Sequence, residues 1–314
     1  MRFLVIGAGA TGGYFGGRLL EAGRDVTFLV RRARAERLAA TGLTITSPAG
    51  NVTLRSPPTV LAGELRTPFD VVILSCKAYD LDGAIESFAP AVGPDTAIVP
   101  LLNGMRHLDA LEARFGAERV LGGTCFISAK LSEGGQIAHL SDIHRITFGE
   151  RGGGRSPRVE AIAAAMAGAK FDTVASAEIM LVMWEKWVFL AALAGITCLT
   201  RSAVRDIVAA GGADLAIALF DECQSIAVAA GYPPRPDWLE SGLGRLIDPT
   251  SALTASMLGD VERQGRTEAD HVLGDLLRRR GGELDKDGSL LRVAYVAVKA
   301  AEARAARESG IKAP

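Results

Sequence analysis

The first seventeen residues constrain this chain more than any other stretch. Phe3-Leu4-Val5-Ile6 is an apolar run short enough for a buried parallel strand, Gly7-Ala8-Gly9-Ala10-Thr11-Gly12 follows at once, and a helical pattern then runs through Leu20. The order strand, glycine turn, helix predicts a dinucleotide site. Gly7 permits the tight turn, Gly9 lets the backbone approach a pyrophosphate with no Cβ in the way, and Gly12 allows the helix to pack closely on the strand. The phosphates, received by Gly7, Ala8, Gly9, Ala10, Thr11 and Gly12, then meet the unpaired N–H groups that open the helix.

The next strand, Asp25-Val26-Thr27-Phe28-Leu29-Val30, indicates which dinucleotide. An enzyme using NAD places an acid there for the ribose 2′-hydroxyl, and this chain has Arg31-Arg32 instead. A guanidinium pairs with a 2′-phosphate through charge-assisted bonds, which favours NADPH. The alternative is that Arg31 and Arg32 solvate a loop with Arg34 and Arg37. It fits Arg31 less well than cofactor binding does and leaves Arg32 open.

The chain has 314 residues, enough for two domains and a sizeable core, and a formal net charge of −1. That balance offers nothing to nucleic acid or to a membrane surface, so a small-molecule partner is expected. Cys76, Cys125, Cys198 and Cys223 are widely spaced and form no C-x-x-C pair, which argues against zinc or a disulfide framework. His107, His139, His144 and His271 lack metal-ligand spacing and read as structural or surface groups. The uncharged runs Phe3–Gly17 and Trp187–Thr200 are too short to span a bilayer, and a cytoplasmic location is expected.

Along the chain, residues 43–54 alternate around Pro48-Ala49-Gly50-Asn51 as a β-hairpin does. Residues 69–75 form the next buried strand, with Lys77 just past its carboxyl end, where open α/β sheets bind ligands. Cofactor contact and solvation are equally compatible with Lys77. Residues 97–102 form another strand ending at Asn103-Gly104; Asn103 can donate and accept at once, which suits a carboxamide or carboxylate, but Asn-Gly is the commonest turn dipeptide and on these residues alone the turn is favoured. Residues 120–127 and 137–148 are expected to continue the sheet, and a helix over 157–167 with a strand over 171–174 to complete the domain. The expected architecture is α/β, a Rossmann domain over 1–175 followed by an all-α domain over 176–314.

Residues 178–194 read as one helix, apolar on nearly every side, with Ser176 as its cap. Glu185 and Lys186 lie about 100° apart on it and do not face each other. Lys186 shares its face with Val182, Met183, Phe189, Leu190, Leu193 and Ala194. It either snorkels to a rim or stands at a cleft as a proton donor matched to an anionic ligand. Further helices are expected over 213–230, 251–263, 267–280 and 290–306. Ser256 and Asp260 lie one turn apart, and Glu268 stands in a first turn, where a carboxylate also suits the helix dipole.

Gly7-x-Gly9-x-x-Gly12 with Arg31, Cys76-Lys77-Ala78, Leu102-Asn103-Gly104, Trp184-Glu185-Lys186, and Ser256 with Glu268 together resemble the ketopantoate reductase (2-dehydropantoate 2-reductase) family across essentially the whole chain. The resemblance implies NADPH-dependent reduction of a 2-oxo acid to a 2-hydroxy acid, as in pantothenate biosynthesis. It implies Lys186 as the catalytic proton donor, Asn103 on both substrate and cofactor, and Ser256 on the substrate. Glu268 would lie by the nicotinamide ribose, and Lys77 and Ala129 would line the cofactor. A homodimer is compatible with the sequence, which does not itself fix the oligomeric state. Three positions depart from the pattern: Leu190, Ala194 and Leu253 stand where the family usually has Asn. Losing those polar contacts removes about 1 kcal/mol or more apiece and points to a more apolar or bulkier 2-oxo acid. A non-catalytic NADPH-binding regulator is the alternative of another class. A related dehydrogenase acting on a 3-hydroxy acid or an imine fits Asn103 and Glu268 less well.

Overall fold

The computed structural model describes residues 1–280 and 288–308, so residues 281–287 and 309–314 of the expected second domain lie outside the described residues. The chain divides into two compact units. One comprises Met1–Leu102 with His107–Met180, and the other Asn103–Arg106 with the residues from Leu181 onward.

In the first unit β1 (Arg2–Ile6) leads through Gly7 into α1 (Ala10–Glu21), β2 (Asp25–Leu29) and α2 (Arg32–Thr41). The hairpin β3 (Leu43–Thr46) and β4 (Val52–Leu54) follows, then β5 (Thr59–Val60), β6 (Val71–Leu74), α3 (Leu81–Phe88), β7 (Ala97–Pro100) and α4 (Arg106–Phe115). The first sheet is parallel, in the order β5-β2-β1-β6-β7. β6 and β7 are buried from end to end and β1 is buried beyond Arg2, which is why they read as unbroken apolar runs rather than alternating ones. Ile6 pairs with Leu29 and Leu74, and Leu74 with Pro100, so the carboxyl ends of four strands finish at one level.

The expected continuation of that sheet is corrected by the structure. β8 (Gly122–Leu131) and β9 (Ile137–Gly149) belong mainly to a second five-stranded sheet in which β9 pairs with β8, with β3 of the hairpin and with β10 (Asp172–Ala175), after α5 (Pro157–Met166). The link to the first sheet is a single bridge, Ile98 to Val120. The reason is length: β8 and β9, with 10 and 13 residues, outrun the four-residue β7. Gly123 lets β8 pass, since a Cβ there would lie 2.4 Å from the Pro100 carbonyl oxygen.

The second unit is helical: α6 (Ile179–Thr200), α7 (Val204–Ala209), α8 (Ala213–Ala229), α9 (Pro236–Leu246), α10 (Ser256–Glu262), α11 (Asp275–Arg279) and α12 (Leu290–Glu308). By length and composition α6 could cross a membrane, yet 67% of its most apolar window is buried inside the protein, as befits a core helix. It runs past the expected end at Ala194 to Thr200, and in that last stretch the hydroxyls of Thr197 and Thr200 bond back to the carbonyls of Leu193 and Ile196. The expected helix from Ser251 starts five residues late. Asp248 holds Thr250 and Ser251 in a turn, and the Ser251 hydroxyl accepts from the Leu253 amide. The expected single helix over 267–280 is interrupted by a π-turn, Asp270–Gly274, ahead of α11.

Candidate active site

The three glycines of the loop have three different causes. Gly7 has φ +90° and its amide bonds to the Leu29 carbonyl at 2.9 Å, so the turn itself selects glycine there. Gly12 is fixed by packing: a Cβ would stand 2.4 Å from the Gly7 carbonyl oxygen and 2.1 Å from the Ser75 hydroxyl. Around Gly9 a Cβ would meet nothing within 4 Å, and its φ of −82° suits any residue. The protein gives Gly9 no reason of its own, whereas a pyrophosphate laid on the loop supplies one. α1 has no acidic residue in its first turn, which leaves its N-terminal N–H groups and dipole available to an anion. The loop therefore fits a dinucleotide.

Arg31 caps α2 just beyond the end of β2, and its side chain is 84% exposed, 3.2 Å from the Asp80 carboxylate. Arg32 is exposed on the same turn. Lys77 is half-buried three residues past Leu74, on the same carboxyl edge. β8 passes Pro100 and continues, carrying the half-buried Ala129 beyond that edge. The sequence reading of Arg34 as a loop-solvating residue is corrected. Its Nε donates to the Ala8 carbonyl at 3.0 Å and its Nη1 to the Gly135 carbonyl at 3.1 Å, tying the glycine loop to the turn between β8 and β9. Burial, reinforced by repulsion from Arg37, pushes the Arg34 guanidinium below its usual range.

In the second unit α6 is buried almost all round beyond Met183, except along Lys186, Phe189 and Leu190, which are half-buried and sit at i, i+3 and i+4. Lys186 thus lies on the one stripe of the central helix turn that is not closed by packing. Glu185, 100° away and 1% exposed, faces the other side. It accepts from the Arg235 amide at 3.1 Å and from the Arg235 Nε at 2.8 Å, which ties α6 to the start of α9. Residues 103–106 cluster with this unit, and Gly104, at φ +76°, lies against the His271 carbonyl. Trp187 donates its indole N–H to the next carbonyl, that of Val272, at 2.8 Å. Glu268 is buried two residues before the π-turn, and its carbonyl accepts from the amides of His271 and Val272. Gly104 and Trp187, the neighbours of Asn103 and Lys186, thus both meet the stretch of chain that Glu268 leads into.

Ser256 is exposed as the first residue of α10, whose position is set where the Ala255 amide meets the Thr197 hydroxyl at 3.4 Å. Thr197 lies three turns along α6 from Lys186 on the same face, about 16 Å away along the axis. Leu190, half-buried, and Leu193 and Ala194, buried, line the interval, and Leu253 is half-buried. Asp260 is engaged with Arg263 at 2.8 Å.

The histidines are built into the fold. His107, His139 and His271 are buried, and His139 stacks on His144 with ring centroids 5.1 Å apart. Tyr14 and Ser47 hydroxyls lie 2.6 Å and 2.8 Å from the Nδ1 atoms of His144 and His139. Burial holds His139, His144 and His271 below the ordinary imidazole range, in His271 against the opposing pull of Glu268 and Asp275. The Cys198 thiol is pushed up to about 12 by burial and Cys223 is raised for the same reason, so neither serves as a nucleophile.

Comparison with known proteins gives the family. Residues 3–153 match the family model described as Ketopantoate reductase PanE/ApbA, and residues 178–302 match its C-terminal counterpart. The chain is 42% identical over 280 residues, 89% of its length and 92% of the relative's, to the uncharacterized oxidoreductase YkpB of Bacillus subtilis (strain 168). The crystal structure of 2-dehydropantoate 2-reductase from Geobacter metallireducens GS-15 superposes with a TM-score of 0.86 at 28% identity, over 96% of this chain and 100% of that one. A structure of D-mandelate dehydrogenase with NADH and anilino(oxo)acetate shares the fold at a TM-score of 0.85 and 19% identity, over 97% and 99% of the two chains. The loop that fits a dinucleotide, the helical unit later in the chain and these matches along both have one explanation: the chain belongs to the ketopantoate reductase family of nicotinamide-dependent oxidoreductases.

Proposed function

We propose that this chain reduces a 2-oxo acid to the 2-hydroxy acid with NADPH, and that the acid is more apolar or bulkier than ketopantoate. The observation that carries the reading is Lys186, the one cation of α6, on the only stripe of that helix turn left half-buried. The cofactor supplies a hydride to the 2-oxo carbon. Negative charge then develops on the carbonyl oxygen, and the Lys186 ammonium stabilises that charge and gives up a proton to it. Asn103, with one donor and one acceptor end, orients the acid and the nicotinamide, Ser256 binds the acid, and Glu268 accepts from the ribose. Gly7, Ala8, Gly9, Ala10, Thr11 and Gly12 receive the pyrophosphate, with Lys77 and Ala129 beside the cofactor.

NADPH is favoured over NADH by Arg31. Its pairing with Asp80 is a surface one, worth about 0–1 kcal/mol, and gives way readily to a doubly charged 2′-phosphate. The substrate assignment is supported by Leu190, Ala194 and Leu253, which offer hydrocarbon where the family pattern offers amides. The same fold hosts D-mandelate dehydrogenase, whose ligand anilino(oxo)acetate carries an aromatic ring.

Steady-state NADPH oxidation against ketopantoate and branched or aromatic 2-oxo acids tests this. An apolar acid should exceed ketopantoate in kcat/KM by about tenfold or more, and Lys186→Ala should lower kcat by about 10²–10⁴-fold. A preference for ketopantoate refutes the substrate assignment. Turnover that survives Lys186→Ala refutes the mechanism. NADPH binding with no acid reduced would favour a regulator.

A further inference from the structure

We infer that the π-turn Asp270–Gly274 is the positioning element of this site, and that Trp187 and Gly104 are positioning residues that act through it. The inference rests on the reading of Lys186 and Asn103 given above. π-turns are rare, and they recur at functional sites because they cost helical regularity that something else must offset. The local sequence gives no cause for widening: residues 267–277 contain no proline, and Gly274 is the last residue of the turn. The cause is tertiary, and it lies in two successive carbonyls.

The His271 carbonyl receives the Asn103-Gly104 turn. Gly104 sits at φ +76°, and a Cβ there would stand 2.6 Å from the His271 oxygen, so the backbone is seated directly on the π-turn and Asn103 is delivered from that seat. The Val272 carbonyl receives the Trp187 indole N–H at 2.8 Å, and Trp187 is 1% exposed. A bond from a rigid, buried ring fixes both the height and the rotation of α6, and Lys186 is one residue, or about 100°, away. The same ring is flanked by Trp184, with centroids 5.0 Å apart, and by the Arg279 guanidinium at 5.6 Å, which α11 holds through Asp275 at 3.1 Å. Glu268 lies two residues ahead of the turn and is bonded to it, its carbonyl accepting from the His271 and Val272 amides at 3.0 and 2.9 Å. Five residues of unusual helix thus support the amide, the ammonium and the carboxylate of the proposed chemistry.

Trp187→Phe keeps the ring and removes the N–H, and Gly104→Ala unseats the turn. Each should lower kcat by about 10- to 100-fold, the effect of displacing a reacting group by on the order of 1 Å. KM for the 2-oxo acid and the NADPH dissociation constant should each rise by less than kcat falls. Because both act through one support, the double variant should lose no more than about threefold beyond the worse single variant. Phe220→Leu, a core change elsewhere in the same unit, should lower the melting temperature and leave kcat of the folded enzyme alone. Wild-type turnover that depends on Lys186 tests the functional reading by itself. With that turnover intact, kcat within twofold of wild type in Gly104→Ala, or losses that multiply fully in the double variant, overturns the inference. Gly104→Ala decides the matter alone if Trp187→Phe does not fold.

Discussion

Gly9→Ala and Gly12→Ala alter the same loop by the same methyl group and should fail in different ways. At Gly12 the added carbon would stand 2.4 Å from the Gly7 carbonyl oxygen, so backbone must retreat by about 1 Å to reach ordinary contact. Overpacking of this kind costs about 1–3 kcal/mol in unfolding free energy. At Gly9 the carbon meets nothing within 4 Å and the backbone, at φ −82°, tolerates alanine. The gain of about 0.4–1 kcal/mol from a stiffer unfolded chain is roughly cancelled by alanine's poorer capping, so stability should stay within about 0.5 kcal/mol. The methyl group does occupy the space a pyrophosphate needs, and losing one charge-assisted bond at about 1.5–3 kcal/mol weakens NADPH by roughly 10- to 100-fold. Urea unfolding gives the first quantity and titration of NADPH fluorescence the second. A Gly9→Ala protein that is stable and binds NADPH as the wild type does would refute the placement of the dinucleotide on this loop.

Other consequences follow from the described contacts. Arg235→Ala removes the guanidinium from the Glu185 carboxylate, 1% exposed, leaves it only the backbone N–H of residue 235, and should cost about 2–4 kcal/mol by urea unfolding, with Glu185→Gln milder because an acceptor remains; a loss under about 0.5 kcal/mol would contradict the pairing. Arg31→Ala should weaken NADPH about tenfold or more and leave NADH within twofold, and equal effects on both would remove Arg31 from the 2′-phosphate. His139, His144 and His271 are held neutral by burial, so the unfolded chain binds their protons more readily than the folded one. Their contribution is full above the ordinary value of about 6.5 and is lost as pH falls below it. The melting temperature should therefore drop between about pH 6.5 and 5, less steeply in a His139→Gln, His144→Gln variant, and an unchanged slope would refute the assignment.

The dinucleotide half was legible because its signals are local. A buried parallel strand reads as an apolar run, and the glycines follow it without interruption. The later strands were harder. The residues of β8 and β9 are strand-like wherever they pair, and only the mismatch with the short β7 sends them into a second sheet with β3 and β10. In the helical unit Lys186 could be picked out as the lone cation on an apolar helix, but its surroundings could not. Arg34 looked like one more solvated arginine until its bonds to the Ala8 and Gly135 carbonyls were seen, 26 and 101 residues away in sequence. Neither the π-turn nor the role of Trp187 is encoded nearby, since the Val272 carbonyl accepts from an indole 85 residues earlier. α9 was not among the expected helices; it follows Pro233 and Pro234, and Pro236 occupies its first helical position, where a missing N–H costs nothing.

The most direct measurement follows the hydride itself. NADPH deuterated on the transferable C4 position is incubated with the protein and a branched or aromatic 2-oxo acid, and the product is analysed by mass spectrometry, with Lys186→Ala alongside. The account predicts a 2-hydroxy acid carrying one deuterium at C2, formed by the wild type and reduced about 10²-fold or more in the variant. Product without the label, or equal labelled product from both proteins, would contradict it.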